Sequence, residues 1–215
     1  MSFDAYFKKL PLIAILRGLE PKQAVAAGEV LVHSGFRLIE VPLNSPEAAE
    51  SIRLLAQSFD GRALIGGGTV LIPDHVDKLA GAGGAFIVSP NSSQEVIRRT
   101  KQCGLASLPG VATPTEAFEA LQHGADALKL FPAELIPPPG IKALLAVLPP
   151  ETRLIPVGGI DHTNMKGYIR AGAAGFGYGG SLFKPHYSQR ELARRADLLV
   201  ATYRSITAQH VQGNE

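Results

Sequence analysis

Short apolar runs recur along this chain at a spacing of roughly 20 to 25 residues, the length of one strand plus one helix. Six glycines, Gly35, Gly61, Gly83, Gly104, Gly124 and Gly172, close amphipathic stretches, and Pro149-Pro150 fills the long gap between the last two. The runs are LIAILRG, LIEVPL, LIGGGTV, FIVSP, LASLPGV, ALKLFP, RLIPVGG and GFGYGG, eight in all. Near-continuous apolar strands alternating with helices imply a parallel sheet covered on both faces. The helical stretches carry start and stop signals, as in Pro114-Thr115-Glu116 to Gly124, where proline sits in the first turn. Eight such units predict a closed (β/α)8 barrel, an α/β fold, with a doubly wound open sheet as the alternative. Residues 2–9 read as an extra short N-terminal helix, and Ser188 to about Ala208 as a long final one.

The 215 residues suit one domain, taken here as 1–215, with no linker or low-complexity segment. Charged residues make up 19% and apolar ones 46%, and no apolar run approaches the roughly 20 residues of a membrane span. A net charge of +2 without a large Lys/Arg cluster argues against nucleic acid as a partner. The opening MSFDAYFKKLPLIAIL lacks the long apolar region and cleavage site of a signal peptide, so the expected location is the cytoplasm. Cys103 is the single cysteine and, placed before Gly104, reads as a small buried residue at a helix end.

In a barrel of this kind the active site lies at the carboxyl ends of the strands, so polar residues late in each run are informative. Arg17, Glu40, Thr69 and Lys129 qualify, and the last two runs end in Gly158-Gly159 and Gly179-Gly180-Ser181. Strand alternation puts Ile13, Ile15 and Arg17 on one face, as it does Leu38, Glu40 and Pro42, and Ala127, Lys129 and Phe131. If these are the inner faces, two cations and a carboxylate converge in the barrel mouth. Such a network can be purely structural. Its functional reading is specific: a lysine desolvated by apolar walls and crowded by Arg17 has a depressed pKa, and its neutral amine can attack a ketone. Glu40 then shuttles protons. Phe131, two residues beyond Lys129, reads as a pocket wall.

The glycine tracts at 157–160 and 177–181 can offer backbone N–H groups to a phosphate, as loops after strands 7 and 8 of such barrels commonly do. GGGTV can let a small planar acid approach the backbone, with Thr69 donating to it, or can simply be a structural bend. The six histidines fall outside strand ends and form no metal-ligand spacing, so no metal is expected.

Taken in order, LPLIAILRG, LIEVPLNSP, LIGGGTVL, IVSPN, PGVATPTEA, ALKLFPAE, VGGI and GGSLF resemble the class I 2-keto-3-deoxy-6-phosphate aldolases over nearly the whole chain. The resemblance implies a (β/α)8 aldolase with Lys129 as Schiff-base lysine and Glu40 as general acid/base. It implies that Thr69, Pro90 and Phe131 surround the pyruvate part, and that Gly158, Gly159, Gly180 and Ser181 contact phosphate. It also implies a phosphorylated keto-deoxy sugar acid as substrate, pyruvate as a product, no cofactor, and a homotrimer. Leu43-Asn44-Ser45 and Val157-Gly158-Gly159 look like the galactonate branch of that family rather than the gluconate branch. Arg17 is then the cation left to take the substrate carboxylate, and Val157 the position that distinguishes C4 epimers. A gluconate-specific or dual enzyme, and a non-catalytic sugar-phosphate-binding barrel, are the alternatives.

Overall fold

The computed structural model describes residues 2–212; Met1 and residues 213–215 of the expected 1–215 domain lie outside the described residues. Among the described residues nine short strands are all parallel: β1 (Leu12–Ile15), β2 (Leu38–Pro42), β3 (Leu64–Gly68), β4 (Phe86–Val88), β5 (Ala106–Leu108), β6 (Gly110–Val111), β7 (Leu128–Leu130), β8 (Leu154–Pro156) and β9 (Phe176–Tyr178). They alternate with α1 (Phe3–Lys9), α2 (Pro21–Ser34), α3 (Ala48–Ser58), α4 (Pro73–Gly81), α5 (Gln94–Gln102), α6 (Pro114–Gln122), α7 (Pro138–Leu145), α8 (Met165–Arg170) and α9 (Gln189–Gln212).

Hydrogen bonds define a curled six-stranded sheet, half of a barrel, in the order β5-β4-β3-β2-β1-β9, and a three-stranded sheet β6-β7-β8. Neighbours in the order are neighbours in the chain, apart from β1 beside β9, so the reversal that marks a doubly wound sheet is absent among the described strands. The expected eightfold ladder is interrupted at two seams. The fifth apolar run is split at Pro109, which has no N–H to give to a ladder, into β5 and β6. Between β8 and β9 the pairing is a lone bridge, Val157 to Gly177, because β8 gives way at once to the positive-φ turn at Gly158 and Gly159.

Local signals behave as the residue pattern predicts. All six helix-closing glycines have positive φ; at Gly35, with φ 110°, a side chain would be strained, and the N–H caps α2 by donating to Leu31 and Val32 carbonyls. Thr113 and Glu116 form a reciprocal capping box on α6. Cys103 does cap a helix, α5, but is half-buried rather than buried, with Sγ 3.6 Å from Asp77 Oδ1.

Two apolar layers follow from strand alternation. Leu12, Ala14, Ile39, Val41, Leu128 and Leu130 face outward into the helices. Ile13, Ile15, Leu38, Phe86, Val88, Leu108, Ala127, Ile155 and Val157 form an inner cluster to which both sheets contribute. α1 buries Phe3, Tyr6 and Phe7 in that inner cluster, with Phe3 5.9 Å from the Phe86 ring. The amino ends of the strands are therefore plugged, which leaves the carboxyl ends for chemistry. No helix of the described residues is long and apolar enough to cross a membrane.

Candidate active site

The two inner-facing ionisable groups predicted on β2 and β7 are both buried: Glu40 is 1% exposed and Lys129 5%. Their neighbours explain how they fit. Glu40 pairs in register with Ile15 on one side and Gly66 on the other, and Lys129 with Gly110 and Ile155. Gly66 leaves space for the Phe86 ring, whose atoms would lie 2.6 Å from a Cβ there. Gly68, two residues on, leaves space for the Glu40 carboxyl, since a Cβ at this position would overlap Oε1. The LIGGG run is thus a cavity-forming strand rather than a weak one. Gly68→Ala is expected to displace the Glu40 carboxyl and to cut turnover at least tenfold; steady-state kinetics, with circular dichroism as the check on folding, measures it.

Desolvation dominates the electrostatics of the pair. Burial pushes Glu40 above the ordinary carboxylate range, against the opposing pull of Lys129 and Arg17. Burial also pushes Lys129 below the ordinary amine range; the carboxyl of Glu40 opposes this and the positive charge of Arg17 adds to it. Among the described residues no ion pair within 4.0 Å engages Lys129, and Glu40 Oε2 has no hydrogen-bond partner. The Lys129 amine lies instead 4.6 Å from the centroid of the Phe131 ring. A buried amine kept short of protons beside a buried carboxyl able to hold one is an arrangement suited to proton transfer during attack on a carbonyl.

Lys129 opens into a cavity of about 440 Å³ whose wall includes Ile15, Arg17, Phe131, Val157, Gly158, Gly159, Gly180 and Ser181. Eight of the eleven expected site residues are therefore brought together there. Glu40 is buried and does not itself line this cavity, but its carboxyl is close enough to feel the charges of Lys129 and Arg17, which do. Thr69 and Pro90 are half-buried at the ends of β3 and β4 and do not line this space. Thr69 is held at φ 57°, an uncommon conformation for a β-branched residue. Arg17 differs from expectation: β1 ends at Ile15, so Arg17 sits exposed on the rim rather than inside, its Nη1 donating to Asn44 Oδ1 at 2.5 Å.

Beyond Lys129 the wall is built from two turns. Gly158 and Gly159 both have positive φ, and Ser181 Oγ donates to the Ile160 carbonyl at 2.8 Å, tying the turn after β9 to the turn after β8. Among the described residues the N–H groups of Gly159, Ile160, Gly180 and Ser181 donate to no protein acceptor. Such N–H groups, on residues that line a cavity, suit an anion.

The family model of the KDPG and KHG aldolases matches residues 3–196. The chain belongs to that aldolase family. It is 46% identical to the 2-dehydro-3-deoxy-6-phosphogalactonate aldolase of Escherichia coli strain K12 over 196 residues, 91% of this chain and 96% of that one. A solved native KDPGal structure superposes with a TM-score of 0.92 at 46% identity, covering 93% of this chain and 97% of that one. The KDPG aldolase of Legionella pneumophila, solved with pyruvate captured as a covalent carbinolamine, superposes at 0.78 with 28% identity, covering 94% and 96%.

Two carboxylates in this aldolase's cavity, Glu134 and Asp161, went unnoticed in the sequence. Asp161 is engaged by its own turn, accepting from Thr163 N–H at 2.7 Å and Thr163 Oγ1 at 2.6 Å, bonds that lower its pKa. Glu134 rests against the glycine turn: a Cβ at Gly158 would lie 2.5 Å from its Oε2, and one at Gly159 2.5 Å from its Cγ. It makes no side-chain hydrogen bond within the described residues, and so is an open acceptor for hydroxyl groups. The signal for it was Glu134 following Lys129 in ALKLFPAE, but nothing local told that the chain turns there toward Gly158.

Proposed function

We propose that this aldolase cleaves 2-dehydro-3-deoxy-6-phospho-D-galactonate to pyruvate and D-glyceraldehyde 3-phosphate through a Schiff base on Lys129, a step of galactonate catabolism. The observation that carries the reading is the buried Lys129 amine, its pKa lowered by desolvation, lining the cavity close to the buried Glu40 carboxyl, whose Oε2 has no hydrogen-bond partner. The neutral amine adds to the C2 ketone to give a carbinolamine, and loss of water gives a protonated imine. Glu40 then takes the proton of the C4 hydroxyl, the C3–C4 bond breaks as the aldehyde C=O forms, and the bond's electron pair moves into the imine to form an enamine. Glyceraldehyde 3-phosphate leaves. Protonation at C3 and addition of water release pyruvate and return the amine. Glu40 moves the protons of dehydration and enamine protonation; the imine itself is the electron sink, so the steps are balanced without metal or organic cofactor.

Arg17 takes the substrate carboxylate, with Thr69, Pro90 and Phe131 around the pyruvate portion. The N–H groups of Gly158, Gly159, Gly180 and Ser181 take the phosphate. With this reading go a complete (β/α)8 barrel spanning the chain as one domain, a cytoplasmic enzyme and a homotrimer. The exposed apolar pair Leu71 and Ile72, 48% and 47% accessible, stands two and three residues past Thr69, where a subunit contact would cover it.

Preference for the galactonate epimer is assigned to the region between the imine and the phosphate, where Val157, 7% exposed, lines the cavity. A threonine there offers a hydroxyl to one C4 epimer. Valine has the same shape without it, and an unpaired polar group costs roughly 1 to 3 kcal/mol, tenfold or more in rate. The test is kcat/KM for both epimers side by side. The galactonate epimer is expected to be favoured, and Val157→Thr, with Asn44→Arg where needed, to shift the ratio towards the gluconate epimer. A parent enzyme that favours the gluconate epimer removes the branch assignment and leaves the aldolase chemistry standing.

A further inference from the structure

Behind the turn after β9 stands a side-chain cluster that lies outside the catalytic cavity. Arg195 of α9 donates from Nη1 to the Ser181 carbonyl at 3.0 Å and from Nε to Glu191 Oε1 at 2.6 Å. Its guanidinium carbon lies 4.6 Å from the centroid of the Tyr187 ring. Glu191 also accepts two bonds from Arg194, at 2.9 and 2.8 Å, and these cations hold its carboxyl down at a pKa of about 2. Both arginines line a second cavity of about 310 Å³, which meets the catalytic one across a shared wall made of Asp161 and Ser181.

A guanidinium held by a carboxylate, an aromatic face and a carbonyl has little freedom left, and a charge-assisted bond to a carbonyl is stronger than a neutral one. The carbonyl it holds belongs to the Ser181–Leu182 peptide. The two preceding peptides carry the Gly180 and Ser181 N–H groups, which have no protein acceptor among the described residues. With its carbonyl bonded to α9, the turn leaves these N–H groups without a protein acceptor on residues that line the catalytic cavity. Released, a glycine-rich turn can rotate its peptides and offer carbonyl oxygens to an anion instead. Ser181 Oγ, bonded to Ile160, carries any such rotation to the turn after β8.

We propose that Arg195 is a positioning residue for phosphate: from the far side of the loop it fixes the Gly180-Ser181 turn with its N–H groups facing the substrate. The proposal rests on the phosphate reading of these turns. Arg195 touches neither substrate nor Lys129, so it acts on binding of the phosphorylated end and leaves imine chemistry alone.

Three measurements on Arg195→Met and Arg195→Lys test it: KM and kcat with the phosphorylated substrate, competitive inhibition by inorganic phosphate, and the rate of borohydride trapping with pyruvate, which has no phosphate. Loss of one charge-assisted bond is expected to raise both KM and the phosphate inhibition constant about three- to tenfold in Arg195→Met. The kcat and the pyruvate trapping rate should stay within about twofold, and Arg195→Lys should recover part of the loss. Unchanged KM and inhibition constant in Arg195→Met, with phosphate competing normally in the parent, overturn the role of Arg195 alone. A parallel fall in pyruvate trapping also overturns it, since it shows a loosened site rather than a misdirected turn. Failure of phosphate to compete in the parent removes the phosphate reading and this proposal with it.

Discussion

Pyruvate and borohydride together are expected to leave a reduced pyruvyl group on Lys129 and on no other lysine, read by peptide mass mapping. Only an unprotonated amine adds to a ketone, and burial lowers the pKa of Lys129. Lys22 stands in the opposite case: it lies 2.6 Å from Glu20, which raises its pKa. A label on another lysine, or none, would sink the Schiff-base assignment. Lys129→Met should abolish turnover and trapping together. Its stability runs the other way. In the window between the depressed folded pKa of Lys129 and its ordinary value of 10.5, the unfolded chain binds more protons than the folded one, so the parent's stability rises with pH there. Below that window the parent carries a poorly solvated charge that methionine lacks. The variant's melting temperature is therefore expected at or above the parent's at neutral pH, with the gap narrowing as pH rises.

Glu40→Gln is expected to lower kcat by roughly two to four orders of magnitude, the usual range for removing a general acid/base. The amide keeps the shape that Gly68 accommodates but cannot exchange a proton at this pH. Burial raises the Glu40 pKa, so the parent carboxyl keeps its proton above the usual carboxylate range and releases it nearer neutrality. The limb of the parent's pH–rate profile that reports this ionisation should vanish in the variant, while the rise with pH that reports deprotonation of Lys129 remains. Pyruvate trapping should persist in part, because the attacking amine is intact. A variant that turns over within a fewfold of the parent would reduce Glu40 to a structural neighbour of Lys129.

Much of this was legible in the chain itself because the signals are local. Positive φ at Gly35 and at the other five stops, the capping box of Thr113 and Glu116, and the inward face shared by Ala127, Lys129 and Phe131 each depend on a few adjacent residues and a fixed backbone period. Such features are decided before any long-range contact forms. α1 and α9 were readable for the same reason. What depended on packing between distant segments was not. Pro109 splits a run that reads as one strand, because the cost of a missing N–H depends on which neighbour needs it. Arg17 continues the alternation of β1 on paper, yet the strand has ended and Asn44, 27 residues away, holds the guanidinium on the rim. Glu134 meets Gly158 and Gly159, and Arg195 meets the carbonyl of Ser181, only once loops and the last helix are docked. The glycines of GGGTV read as a bend or as room for a planar acid; strand alternation anticipates the meeting of Glu40 and Lys129, but only the tertiary structure shows that the Glu40 carboxyl fills the space left at Gly68.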